Sequence, residues 1–123
     1  MCRWHPDLKL IALRFANVMD EEDYARFPDF DADASARRWN LWGYVDGPDA
    51  AQALRRSLEH DQAGFDSFIV AAADTVMTRD NRDLVAEGFP DVRVRGDIAG
   101  NGTLHSIDKA RHVLWYVPER SWR

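Results

Sequence analysis

Residues 8–18, LKLIALRFANV, form a nearly unbroken apolar run that ends at the polar turn Met19-Asp20-Glu21-Glu22-Asp23. A run of this kind suits a strand buried on both faces, the condition of strands in parallel sheets. From Glu21 to Ala36 the chain is rich in Asp, Ala and Phe around Pro28 and shows no clean period, so it reads as loop with one short turn of helix. Residues 39–46, WNLWGYVD, predict a short extended piece leading into a turn at Gly47-Pro48. Asp49 then stands as an N-cap before the helix formers Ala50–Glu59, with Ala51, Leu54 and Leu58 on one face. After Gly64, the stretch Phe65–Ala73 reads as a second buried strand. Strand, connection, helix and strand in this order are the grammar of an α/β layer with parallel strands.

The remaining pattern is shorter. Thr78 is placed to cap a helix over Arg79–Glu87, with Leu84 and Val85 inward, and Gly88 and Pro90 to stop it. Val92-Arg93-Val94-Arg95 alternates as a half-exposed strand does. Gly96–Gly102 reads as a flexible loop, and Ser106 as the cap of a last helix running through Ile107, Ala110, Val113 and Leu114.

The chain has 123 residues, enough for one modest core, and area scaling gives about 6,700 Å² exposed for a compact monomer of this mass. Its formal net charge of −5 has the wrong sign for general binding to a phosphate backbone, so no nucleic-acid partner is expected. Arg outnumbers Lys by 14 to 2, which places the positive charge on planar forks suited to carboxylate or phosphate. Cys2 is the one cysteine, so neither an intrachain disulfide nor a cysteine metal cage can form, and a reducing, cytoplasmic setting fits best. No stretch approaches 18 apolar residues and Trp4-His5-Pro6-Asp7 interrupts the N-terminus, so neither a membrane span nor a signal peptide is expected.

Several chemistries are suggested and then weakened by spacing. His5, His60, His105 and His112 are dispersed, without the intervals of a zinc site. Ser106, Asp108 and His112 have the residue types of a catalytic triad, but one short helix cannot aim them at each other. Gly96, Gly100 and Gly102 give G-x-x-x-G-x-G rather than the dinucleotide fingerprint, and no Walker pattern occurs. Asp20-Glu21-Glu22-Asp23 lacks the alternation of a calcium loop and reads as a solvated acidic turn. Most of the five Trp residues belong to a core, with Trp115 and Trp122 the candidates for an exposed patch.

Four segments carry a family resemblance when taken in order. They are LRFANV at Leu13–Val18, YVDGPDAAQA at Tyr44–Ala53, SFIVAAAD at Ser67–Asp74 and SIDKARHVLWYVPERSWR at Ser106–Arg123. Together they resemble the C-terminal portion of the NAD-dependent epimerase/dehydratase family, the extended short-chain dehydrogenase/reductases that act largely on nucleotide sugars. The first looks like the strand after the family's catalytic Tyr-x-x-x-Lys, the second like its Val-Asp-x-x-Asp-x-Ala segment, the third like its returning strand and the last like its closing helix and Leu-Gly-Tyr-x-Pro tail.

This resemblance implies an α/β fold over residues 1–123, a single domain or fragment: a partial Rossmann-like sheet of two or three mainly parallel strands with three to four helices. It implies that Asn17 hydrogen-bonds a nucleotide-sugar substrate, that the Phe15 and Ala16 backbone lies near the nicotinamide of NAD(P), and that Arg37 and Arg38 contact the diphosphate. Trp115 stands where relatives have a Gly, so a left-handed backbone there would carry strain. Two family features are missing from the sequence. It contains no G-x-x-G-x-x-G, and Tyr24, Tyr44 and Tyr116 are followed four residues later by Pro28, Pro48 and Arg120 rather than Lys. Arg cannot serve as a tunable proton relay. The expectation is therefore a C-terminal fragment, through truncation, a split gene or a mis-assigned start at Met1, that binds no cofactor and does not catalyse alone. Strands left bare by such a truncation predict self-association or a complementary Rossmann-domain chain. The alternative is a non-enzymatic module that binds a protein through a Trp-rich surface.

Overall fold

The computed structural model describes residue 5 and residues 7–123, so Cys2 and the start at Met1 lie outside the described residues. The first apolar run divides into β1 (Lys9–Phe15) and β2 (Asn17–Met19), separated by Ala16. β3 (Tyr44–Asp46) leads directly into helix α2 (Gly47–Glu59), and β4 (Gly64–Val70) returns to pair parallel with β1 from Lys9↔Gly64 to Phe15↔Val70. β2 pairs parallel with β3 from Asn17↔Tyr44 to Met19↔Asp46. The fold is thus mixed α/β with a small parallel sheet and several helices, as expected.

The strands fork at Ala16. Up to that residue the chain follows β4, with Ala16 N–H donating to Val70 O at 2.9 Å. Beyond it, β3 lies between β2 and the chain that leaves β4, because Ala72 N–H donates to Tyr44 O at 2.7 Å and Val76 N–H to Trp42 O at 3.0 Å.

Helix α2 begins after Asp46, with Pro48 in its first turn where a missing N–H costs nothing. Asp49 is therefore not the N-cap. It is buried, and its carboxylate accepts the backbone N–H groups of Glu119 and Arg120. The expected apolar face is also on the solvent side: Leu54 and Leu58 are 51% and 78% exposed, while Ala50, Ala53 and Ser57 face the core. Small residues let the helix axis approach the sheet closely, which explains why the larger leucines point away.

The segment expected to be loop is more ordered than its composition suggests. Asp20 opens a capping box with Asp23 around the short helix α1 (Glu21–Tyr24), which is what the acidic turn does. Two 3₁₀ helices follow, Phe27–Ala32 and Ala34–Asn40, the second capped by the Asp33 carboxylate on Ser35 N–H. The extended piece therefore starts only at Tyr44. Leu41 and Trp42 before it are both left-handed, at φ 53° and 55°.

Helix α3 (Asn81–Gly88) is capped by Asp80, not Thr78, which instead donates to Asp31. Asp80 also accepts Gly100 N–H, and Asn101 donates to Met77 O and Arg79 O, so the glycine loop is pinned from within. Residues 92–95 form no strand, because no neighbouring strand lies beside them among the described residues. Helix α4 (Asp108–Leu114) starts after Ile107 without a side-chain cap, so Ser106 does not serve.

Two apolar clusters hold these elements. One gathers Phe27, Trp42, Tyr44, Val76, Met77 and Leu84, with Trp122 packed against it. Trp122 is therefore half-buried on the core, whereas Trp115 is 72% exposed and Trp39, in the second 3₁₀ helix, 70%. The other cluster joins Val45, Ala53, Phe68, Val70, Leu114 and Tyr116 between the sheet and helices α2 and α4, with Ile11 and Leu13 against it. Trp115 is left-handed at φ 56°, as its place after α4 predicts. Among the described residues no helix is long and apolar enough to cross a membrane.

Candidate functional site

In open parallel sheets, ligands bind in the crevice beyond the carboxyl ends of the strands, where neighbouring strands diverge. The fork at Ala16 makes such a crevice. A cleft of about 290 Å³ is lined there by Arg14, Phe15, Ala16 and Asn17 from the β1–β2 junction and by Ile69 at the end of β4. Trp39, Asn40 and His105 close its other side.

Each wall has a local cause. Asn17 is locked through its backbone into the ladder with Tyr44, which leaves its half-buried carboxamide without a hydrogen-bond partner among the described residues. Arg14 alternates to the exposed side of β1 and forms no ion pair among the described residues. The cleft therefore offers an amide and a guanidinium, with an indole and a phenyl ring beside them. Such a set suits a planar or hydroxylated ligand carrying negative charge.

On the opposite wall, His105 Nε2 lies 2.9 Å from Asn40 O. A carbonyl only accepts, so Nε2 carries a proton. The imidazole packs against Gly43, where a Cβ would stand 2.5 Å from His105 Cδ2 and Nε2. Asn40 is 7% exposed. Its Nδ2 donates to Gly43 O, and its buried Oδ1 has no partner among the described residues.

The cleft thus brings together Phe15, Ala16 and Asn17, three residues that the sequence singles out. It does not include Arg37 or Arg38. The 3₁₀ turn sends Arg37 over the Phe30 ring, 4.7 Å from its centroid, where burial lowers its affinity for a proton. Arg38 turns the other way and donates to Gly88 O at 3.2 Å. Trp39, Asn40 and His105 were missed by sequence reasoning. Only the Trp-rich composition around residue 39 hinted at them, and His105 reaches the cleft through a contact 65 residues away.

The tyrosines are engaged elsewhere. Tyr24 donates to Asp46, Tyr44 to Asp74 and Tyr116 to Ala71 O, and burial raises all three hydroxyl pKa values well above the usual. Held protonated, they serve packing rather than proton transfer. His112 is bonded to Asp108 O within its own helix, and His60 lies half-buried at the end of α2. Among the described residues no cluster of three or more His, Cys, Asp or Glu side chains is placed to hold a metal ion.

A larger cleft of about 700 Å³ lies between α3 and residues 92–98, with Val85, Phe89, Val92, Val94 and Ile98 among its walls. Its charged residues, Arg82 and Asp97, are paired to each other at 2.8 Å, so it presents no convergent free polar groups comparable to those at the fork.

The nicotinamide cofactor implied by the family resemblance fits this site only in part. The Phe15–Ala16 backbone borders the cleft, but the cleft is smaller than a whole dinucleotide, and the amide of Gly100 is already bonded to Asp80. No glycine lines the cleft, so it lacks the glycine-rich turn that cradles the pyrophosphate of a dinucleotide. Compared with family models, curated proteins and solved structures, the chain matches none.

Proposed function

We propose that this chain is the substrate-binding, C-terminal part of an NAD-dependent nucleotide-sugar epimerase/dehydratase and binds its ligand at the fork without turning it over alone. The observation that carries this reading is the clustering of Phe15, Ala16 and Asn17 at the carboxyl ends of two parallel strands, in a cleft with Arg14 and Trp39. Further support comes from the pairing of the segments behind the resemblance. LRFANV supplies the end of β1 and most of β2, SFIVAAAD supplies the second half of β4 beside it, and YVDGPDAAQA supplies β3 and the start of α2.

In this reading the Asn17 carboxamide takes hydroxyl or phosphate oxygens, Arg14 meets the negative charge and Trp39 covers a ring face. Hydride exchange needs a cofactor held by its pyrophosphate and a proton relay beside the sugar. The sequence contains neither G-x-x-G-x-x-G nor Tyr-x-x-x-Lys, and all three tyrosines are bound into the fold.

The test is a titration with UDP-sugars, alone and with NAD, followed by Trp fluorescence and thermal shift. Saturable binding of a UDP-sugar is expected, weakened about tenfold in Asn17→Ala by loss of a hydrogen bond to a charged or hydroxylated ligand. Absence of saturation at millimolar UDP-sugar, or identical affinity in the variant, refutes it. The exposed indoles of Trp39 and Trp115 favour a second reading, a non-enzymatic protein-binding module. No response to any sugar nucleotide, with a specific protein partner lost on Trp39→Ala, is its signature.

A further inference from the structure

β1 has an open edge. Gly64 N–H donates to Leu8 O and Ala16 N–H to Val70 O, so the even-numbered residues of the strand carry the bonds to β4. The odd-numbered residues Lys9, Ile11, Leu13 and Phe15 therefore turn their N–H and C=O groups to the other side, where no strand pairs with them among the described residues. An unpaired edge of this length is a template for another strand.

The surfaces beside that edge are apolar. On one face Leu10 is 38% exposed. On the opposite side α2 packs over β1, anchored where Lys9 Nζ donates to Leu58 O and His60 O, and its unburied flank carries Ala51, Leu54 and Leu58. The exposed parts of Leu8, Leu10, Leu54, Leu58, Phe15 and Phe65 amount to about 600 Å², close to the ~800 Å² that each partner contributes to a standard interface.

We infer that β1 pairs with β1 of a second copy of this chain across a two-fold axis, extending the sheet to β4-β1-β1-β4. A two-fold makes the two strands antiparallel. Full overlap of Lys9–Phe15 sets Ala12 opposite Ala12 of the partner copy, so that Lys9 faces Phe15, Leu10 faces Arg14 and Ile11 faces Leu13. The odd-numbered residues then exchange both backbone bonds, as the free edge requires. No like charges meet, and the two α2 flanks approach each other over the new strand pair. The inference does not rest on a ligand at the fork, although Phe15 lies on this edge and also borders the cleft.

The register makes charge variants opposite in effect. Leu10→Lys places Lys against Arg14 of the other copy twice, whereas Leu10→Glu makes two attractive pairs at the same position. Sedimentation velocity of the full chain from 1 to 200 μM is expected to show a wild-type dimer. Leu10→Lys should dissociate more readily by tenfold or more, Leu10→Glu should dimerise at least as tightly as wild type, and Leu10→Lys combined with Arg14→Glu should restore the dimer. Leu54→Glu with Leu58→Glu should weaken it, and circular dichroism checks that each variant is folded. A wild-type monomer at 200 μM refutes the inference, as does a dimer indifferent to these charges or an open-ended series of oligomers. A dimer displaced by a complementary α/β chain that pairs with this edge would transfer the surface to that partner and also refute it.

Discussion

Trp115 is left-handed at φ 56° and ψ 32°, immediately after α4, with its indole 72% exposed. Comparing Trp115→Gly with Trp115→Ala isolates the backbone, because both remove the same indole. The left-handed conformation costs a non-glycine residue about 1–2 kcal/mol, and glycine loses about 0.5–1 kcal/mol of extra chain entropy on folding. The glycine variant should therefore be more stable than the alanine variant by about 0.5–1 kcal/mol. For a chain of this length that is roughly 2–5 °C in melting temperature. The ranking is the reverse of that inside a helix, where alanine leads glycine by about 1 kcal/mol. Truncation itself removes the buried quarter of the indole, on the order of 70 Å² or about 1.5 kcal/mol, so Trp115→Gly should lie within about 1 kcal/mol of wild type. Trp42 supplies the contrast, since it has the same sign of φ, at 55°, but is fully buried and donates to Ala34 O at 2.8 Å. There Gly and Ala should both cost about 3–5 kcal/mol, and the preference between them becomes a minor part of the loss. Thermal and urea unfolding of the four variants measures all of this. An alanine variant at residue 115 as stable as the glycine variant would refute the assignment of backbone strain to this cap.

Two further expectations follow from close packing and burial. Gly43→Ala drives a methyl to within 2.5 Å of the His105 ring, so it should cost about 1–3 kcal/mol in denaturant unfolding, and His105→Ala in the same chain should recover most of that loss. Burial holds the Asp49 carboxyl above the ordinary carboxylate range, so the folded state keeps a proton that the unfolded chain has lost, and the stability contributed by this group falls as pH rises above about 4. Asp49→Asn should flatten the decline of stability above pH ~4; Asp33, Asp66, Asp80 and Asp97, all lowered by hydrogen bonds, act only below that range, and an unchanged slope would overturn the assignment.

The parallel pair β1–β4 and helix α2 were legible because each rests on a local signal, an apolar run or a set of helix formers after a turn. Orientation was not legible. Ala51, Leu54 and Leu58 share a helical face, yet the sheet accepts Ala50, Ala53 and Ser57, because axis-to-sheet distance is decided by the smallest residues. Caps failed for a related reason. Asp46, Asp49 and Asp80 are all plausible N-caps by type, and only tertiary contacts sort a cap from a carboxylate that holds the C-terminal tail. Val92–Arg95 alternates correctly for a strand, but a strand exists only with a neighbour, which periodicity does not supply. At the site, Asn17 stood out by position in a short motif. His105 could not, since nothing local marks a ring that reaches the fork from a distant loop.

The two halves of the molecule are finished to different degrees, and the fork lies between them. The aromatic half is sealed. Its C-terminal tail is held by Ser121 and Arg123 on the Asp74 carboxylate, Trp122 N–H on Tyr44 Oη and Trp122 Nε1 on Thr75 O, so an irregular segment covers Phe27 and Tyr44 without any ladder. The sheet half has two parallel strands where stable open sheets use more, with one edge of β1 unpaired among the described residues. Because Phe15 belongs to that edge and also lines the cleft, the strand that would extend the sheet ends against the wall of the ligand site. Whatever pairs with β1 therefore fixes Phe15 and the Ala16 backbone, while Asn40 and His105 are already fixed by the sealed half.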